Sequence, residues 1–499
     1  MSTTKTRTET HRASDGDAEV DVIVLGVGTC GEDLSLRLLG AGLSVVGIEA
    51  ALVGGECAYW ACLPSKMMIR AASVLQEARR VSGMAGHAEV APDWAPVAAR
   101  VRAEATGGWD DSVAVARFEG RGGRLVHGRG RLNGPRSVTA GDETFTARRG
   151  VVIATGSQPA IPPIPGLAEV DFWTTHDVIE LERLPRSMIV LGGGAVGCEL
   201  GQVLARFGVD VTMVEAAGRL LPAEEPEASQ ALEAAFAAEG IAVHTGAAAQ
   251  QVGSRDGSIV LTLAGGGELA SECLLVATGR KVDLGGLGLE AAGLDGTPRF
   301  IQVDERMRAA DGLWAMGDVT GKAMFTHVAL YQAAIVAAEI LGEDHPPARY
   351  DAVPRATFTD PEVGAVGMTE AEARAAGLDV IAVVKQLPST FRGWLHASGG
   401  GIIKLVAERQ TGVLVGATAA GPHGGEMLGL LSLAVHARLP LAELRSMIYA
   451  FPTFYGGIGE AVGAYGRGLG TVIDPGYEGF TALDAAGRDG FLTPGRKEA

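Results

Sequence analysis

Cysteine is scarce in this chain, five residues in 499, which excludes the disulfide-stapled scaffolds of small secreted proteins and suits a reducing cytoplasm. Aromatic residues are also few, at 5%. Positive charge is in deficit: 42 Lys and Arg stand against 59 Asp and Glu, a formal net charge of -17. Nucleic acid and anionic membrane are therefore excluded as expected partners, since each would add repulsion to every encounter. Long apolar runs are missing too. Met427 to Val435 is typical of the longest, well short of the roughly 18 residues that a membrane-spanning helix requires. Met1 to Val20 has no apolar segment of secretory type, so residues 1–19 read as a disordered tail and the expected location is cytoplasmic. No metal centre is expected.

Glycine, by contrast, is abundant at 72 residues, as tight βα turns and ligand-hugging loops require, and the length allows three or four domains. Asp21 to Leu25 (DVIVL) has the apolar run of a buried strand and leads into Gly26-Val27-Gly28-Thr29-Cys30-Gly31 and a helical pattern through Leu39. In that context Gly26 makes the tight turn, Gly28 lets backbone amides approach a pyrophosphate and Gly31 lets helix and strand pack closely. Glu49 ends the next strand, where a carboxylate takes ribose hydroxyls. The unit recurs from Met188, with Gly192, Gly194 and Gly197 as its glycines and Glu215 closing the strand VTMVE. Two such units imply two dinucleotides. Glu215 would repel a 2′-phosphate, which favours NADH over NADPH; Arg219 nearby would soften that preference. Strands ending in Ala-Thr-Gly at Gly156 and Gly279 are either ordinary strand-to-loop exits or the places where the chain would pass between two nucleotide domains. Asp318 follows a strand and a glycine, placed either to bind a polyol chain or to cap a helix.

Between the two units' landmarks lies GGECAYWACLPSK, Gly54 to Lys66, with Cys57 and Cys62 five positions apart. Positions i and i+5 of a regular helix lie farther apart than a disulfide allows, so Cys57 is expected in a distorted opening turn for which Gly54 and Gly55 supply backbone freedom. The helix N-terminus there favours a thiolate. Lys66 falls on the same helical face as Cys62, and Pro64 is expected to bend the helix. The alternatives are a structural disulfide or two core cysteines; a lone close pair beside two nucleotide motifs favours redox chemistry.

After about Arg349 the pattern turns to strand-like segments such as AVPRATF and GIIKLVAE, then a helix from Gly425 to Ala437, with no nucleotide motif. Such a domain commonly serves dimerisation. No fold is assigned after Gly466.

These residues resemble the FAD-dependent pyridine nucleotide-disulfide oxidoreductases, the family of glutathione reductase, dihydrolipoyl dehydrogenase and mercuric reductase, over roughly Val20 to Gly466. The resemblance implies an α/β protein with two Rossmann-like dinucleotide-binding domains, for FAD and NAD, and a C-terminal α+β dimerisation domain. The divisions would be 20–155 and 283–347 for FAD, 156–282 for NAD(P), 348–466 for the interface and 467–499 as a disordered tail. It further implies that Cys57 is the interchange thiol and Cys62 the charge-transfer thiol, that Lys66 and Glu199 pair beside the flavin, that Asp318 binds the ribityl chain, and that His327 in FTHVA lies near the flavin. The implied enzyme is a homodimer passing electrons between NADH, FAD and a small thiol, disulfide or similar acceptor.

One part is absent. The family's acid-base pair is a His in HPTxxE and the Glu five residues on; here the segment runs from Tyr449 to Gly456, with Phe451 and Gly456 at those two positions. No histidine follows His436. Neither Phe nor Gly transfers a proton, and a general base is worth about 10² to 10⁴ in rate. Tyr449, two positions from Phe451 in an extended segment, is the first substitute to consider, as an acid or as packing. The absence opens further readings: direct transfer from flavin to a quinone, metal ion or oxygen, a proton-excluding carboxylase-like member, or a degraded scaffold subunit.

Overall fold

The computed structural model describes residues 17–464 and 472–474, which fall into two compact units. The first takes in residues 17–67, 96–160 and 280–349; the second takes in 68–95, 161–279 and the remainder from 350.

In the first unit, apolar runs form a parallel sheet because they are buried on both faces. Asp17–Leu25 lies between Val45–Glu49 and Glu143–Ile153, and Leu313–Ala315 continues the sheet beyond Glu143–Ile153. Val22 to Leu25 and Val151 to Ile153 are at most 2% exposed, and burying each such side chain stabilises by roughly 1.5–3 kcal/mol. Register does the functional work. Leu25 pairs with both Ile48 and Ile153, and Ile153 pairs with Ala315, so Gly26, Glu49, Ala154 and Met316 emerge at one level on the carboxyl edge. That edge is where ligands bind in open parallel sheets.

The second unit repeats the device. Ser187–Leu191 runs parallel to Asp210–Val214 and Cys273–Val276, with Leu191 level with Val214 and Val276. A separate antiparallel sheet has the spatial order Pro354–Thr357, Glu362–Gly367, Leu414–Gly421, Ile402–Glu408 and Val380–Gln386, and helix Gly424–His436 packs on it. Its core includes Leu405, Ala419, Leu431 and Ile458.

The two expected tails lie outside the described residues except at their inner ends. Residues 17–19 belong to the first strand, and Val472–Asp474 adds a strand parallel to Val380–Gln386, contrary to the expectation of no fold after Gly466. Three residues carry too little periodicity to read; only the neighbouring edge makes them a strand.

Candidate active site

The two nucleotide cradles are built from the same contacts. Gly26 N–H donates to Ile48 and Gly192 N–H to Val214, each at 2.8 Å. A Cβ on Gly31 would fall 2.0 Å from the Gly26 oxygen, and a Cβ on Gly197 2.0 Å from the Gly192 oxygen, so neither helix tolerates a side chain there. Helices Thr29–Gly40 and Ala195–Arg206 start at Gly28 and Gly194 with no side-chain cap, leaving first-turn amides for an anion. Each strand-end carboxylate grips its own loop. Glu49 accepts from Val27 N–H at 2.7 Å and Ala51 N–H at 2.8 Å; Glu215 accepts from Gly193 and Ala217 N–H at 2.6 Å each. Burial raises the Glu49 carboxyl, and the amides of Ala51 and Val27 oppose that. Arg219, by contrast, turns its Nη2 to the carbonyls of Pro222 and Glu224, at 2.8 and 3.0 Å.

The cysteines are stitched to the first cradle. Gly54 N–H donates to Val27 O at 2.8 Å and Thr29 Oγ1 to Gly54 O at 3.0 Å. Gly55, at φ +67°, has room for no side chain: a Cβ would sit 2.8 Å from Gly28 Cα. Cys57 lies in the short helix Gly55–Tyr59; Trp60, at φ -135°, breaks it, and Cys62 opens the helix Cys62–Arg79. The expected bend at Pro64 is thus a full break upstream. Pro64 falls in the first turn of the new helix, where its missing N–H costs nothing.

Both cysteines are free and half-buried, and their sulfurs share a hydrogen bond. That bond, aided by the Thr326 hydroxyl and the Lys66 charge against burial, holds Cys62 down at about 6. The same bond, together with burial, pushes Cys57 above the ordinary thiol range. The two shifts run in opposite directions, so a negative charge on the pair is favoured at Cys62 over Cys57. Thr326, unremarked in the sequence, stands with its Oγ1 3.3 Å from Cys62 Sγ at the start of helix Thr326–Leu341. Next to it, His327 stacks on Phe325 with ring centroids 5.2 Å apart.

Asp318 accepts a hydrogen bond from Ser157 Oγ and makes no helix-capping bond, which removes the cap alternative. Gly156 and Gly279 have φ of +69° and +108° in open space; just beyond them Gln158–Pro159 and Arg280–Lys281 pair antiparallel where the chain leaves the first unit and returns. Lys66 belongs to the first unit and Glu199 to the second. Glu199 is buried, and its Oε1 accepts from Phe358 N–H at 2.8 Å.

Tyr449 does not project with Phe451. Phe451 is 67% exposed, whereas Tyr449 packs over Gly459 and donates its hydroxyl to Leu444 O at 2.9 Å. Burial raises its phenol further from neutrality, so of the two expected roles, acid or packing, the described geometry favours packing. The segment is not extended: the Tyr455 hydroxyl accepts from Ala450 N–H at 2.9 Å and folds it into a turn.

Comparison with known proteins places these features. The sequence profile described as pyridine nucleotide-disulphide oxidoreductase matches residues 20–333, and that of the family's dimerisation domain matches 353–462. Dihydrolipoyl dehydrogenase of Thermus scotoductus is 35% identical over 465 residues, 89% of this chain and 97% of that one. Mercuric reductase of Acidithiobacillus ferrooxidans is 34% identical, covering 92% and 86%. Among solved structures, the Cu(II) complex of the HOCl-induced flavoprotein disulfide reductase RclA from Escherichia coli superposes with a TM-score of 0.78 at 26% identity, covering 88% of this chain and 99% of that one. In that family FAD and a pyridine nucleotide are the usual cofactors. No helix among the described residues is long and apolar enough to cross a membrane. With both of the family's domains matched in order and relatives aligned over nearly their full length, the chain belongs to the pyridine nucleotide-disulphide oxidoreductases.

Proposed function

We propose that this protein is a cytoplasmic, homodimeric flavoenzyme that draws electrons from NADH and delivers them through Cys57 and Cys62 to a small disulfide or similar two-electron acceptor. The observation that carries this reading is the close thiol pair on a turn tied directly to the first cradle through Gly54, Val27 and Thr29, with the Thr326 hydroxyl against Cys62. That cradle fits FAD: Gly26, Gly28 and Gly31 leave amides that would take a pyrophosphate, Glu49 would serve the ribose, Asp318 the linking chain, and Lys66 and His327 the ring, with Glu199 of the second unit as a further catalytic candidate. Gly192, Gly194, Gly197 and Glu215 hold the nicotinamide dinucleotide, and Gly156 and Gly279 pass the chain between the two domains. Glu215 and the diverted Arg219 support NADH over NADPH. FAD, when bound, supplies the two-electron chemistry between nicotinamide and sulfur.

The cysteines do the rest by exchange. Cys57 attacks one sulfur of the acceptor disulfide, its proton passing to the Cys62 thiolate in contact with it, and the first thiolate product leaves. The Cys62 sulfur, after losing that proton to the departing thiolate, attacks Cys57 Sγ, releases the second product and closes the Cys57–Cys62 bond. With Phe451 and Gly456 at the positions of the family's acid-base pair, this inner transfer replaces an outer one, and oxidation of a neutral dithiol such as dihydrolipoamide is expected to be slow.

Anaerobic titration with NADH followed by Cys57→Ser tests the assignment. The wild type should take up more than one two-electron equivalent, and the variant should keep flavin reduction while losing disulfide reduction at least about 10³-fold. The second reading, direct transfer from flavin to a metal ion, quinone or oxygen, is favoured by the missing base and by the likeness to a mercuric reductase and to RclA in complex with Cu(II). It takes over if Cys57→Ser leaves acceptor reduction intact.

A further inference from the structure

One guanidinium links the cysteine turn to the joint between domains, and none of the motifs above accounts for it. Arg280 is the first residue after Gly279. Its Nε donates to Ser157 Oγ at 2.7 Å and its Nη2 to Ser157 O at 2.6 Å. The same Nη2 reaches Glu56 Oε2 at 3.3 Å, and Nε lies 3.8 Å from Asp318 Oδ2. Ser157 in turn donates to Asp318. Both members of the Arg280–Glu56 pair are partly covered, with side chains 25% and 32% exposed.

Glu56 is the residue immediately before Cys57, in the first turn of the helix Gly55–Tyr59. An unbalanced carboxylate there works against the chemistry. Reducing a disulfide to one thiol and one thiolate consumes two electrons and one proton and leaves one new negative charge, which a neighbouring negative charge disfavours. The turn also abuts the fingerprint loop through the Gly28–Gly54 bridge, where a phosphate is expected.

The geometry points to Arg280 as a positioning residue that balances the charge of Glu56 and so sets how readily the Cys57–Cys62 couple carries its thiolate. One side chain thereby ties together the turn bearing Cys57, the crossover strand at Ser157 and the carboxylate of Asp318. The inference rests on reading the two cysteines as the redox couple. The other groups that bear on them, Lys66 on the helix of Cys62 and the hydroxyls of Thr29 and Thr326, are unchanged by the substitutions below.

The test is the pH dependence of iodoacetamide alkylation in the reduced, purified protein, where Cys30, Cys198 and Cys273 are buried. Arg280→Met leaves Glu56 unbalanced and should move the thiolate titration up by about half a pH unit, the Coulomb effect being weakened by partial exposure. Glu56→Gln leaves Arg280 unbalanced and should move it down by a similar amount, and the double variant should return close to the wild type. Opposite signs with restoration separate charge balance from anchoring, because loss of an anchor disturbs the turn in one direction whichever partner is removed. Shifts of the same sign, no shift, or a double variant worse than either single one overturn the inference. The measurement needs no turnover. Failure of NADH to reduce the couple would sink the proposed function, while a flat titration would sink only the role of Arg280.

Discussion

Cys62 shows what a single residue gains from its surroundings. Its thiol, ordinarily at 9.0, is held at about 6 by the bond from Cys57 and then by Thr326 and Lys66. A group whose folded value lies below its unfolded one contributes stability that is fully present above the unfolded value and is lost as pH falls through the folded one. The reduced protein is therefore expected to gain in Tm from pH 6 to pH 9 relative to Cys62→Ser; parallel Tm curves would contradict this. Thr326→Ala should raise the thiolate titration, by about one unit if its hydrogen bond to a charged sulfur is worth roughly 1.5 kcal/mol, read by thiolate absorbance on reduction. The cysteines and Lys66 were legible because their spacing is local. Thr326 was not, because it lies 264 positions from Cys62 and only the sheet brings the two together.

At the scale of elements, two strand-turn-helix units share the same internal contacts but are proposed to serve different ligands, and point changes should tell them apart. Gly31→Ala places a carbon 2.0 Å from the Gly26 oxygen and is expected to yield protein that sheds its flavin. Gly197→Ala creates the same clash in the second unit and is expected to leave the protein yellow while raising the KM for NADH at least about tenfold, a loss of roughly 1.4 kcal/mol in binding. If both variants lose flavin equally, the assignment of the two cradles is wrong. Both units were readable from their glycines and strand-end acids, since a tight turn and close packing admit few other residues. The segment from Tyr449 to Gly456 departs from its expected form for the opposite reason. A turn closed by a hydroxyl five residues on leaves no local signature, so the sequence predicts an extended segment, whereas the Tyr455 hydroxyl accepts from Ala450 N–H and Tyr449 packs inward.

For the whole molecule, the interface domain carries the consequence. Ile448 is 96% exposed and Phe451 67%, two large apolar side chains three positions apart within the stretch matched by the dimerisation profile. Such a surface is expected to be covered by a second copy. Ile448→Asp should shift sedimentation toward the monomer at micromolar concentration, and an unchanged dimer would place the interface elsewhere. The same segment offers a gain-of-function test. Phe451→His with Gly456→Glu restores the family's acid-base pair and should raise dihydrolipoamide oxidation by about ten- to a hundredfold if the cysteine couple is otherwise competent. No increase would mean that proton transfer is not what limits that reaction.

The chain's own order of residues determined the things that depend on near neighbours: two dinucleotide turns, a close cysteine pair with its lysine, an acidic surface, and Phe and Gly in place of a proton-transferring pair. Tertiary structure alone decided which hydroxyl supports Cys62 and where Arg280 places its guanidinium. These are matters of distance between residues hundreds of positions apart, set by the register of a parallel sheet that no local pattern encodes.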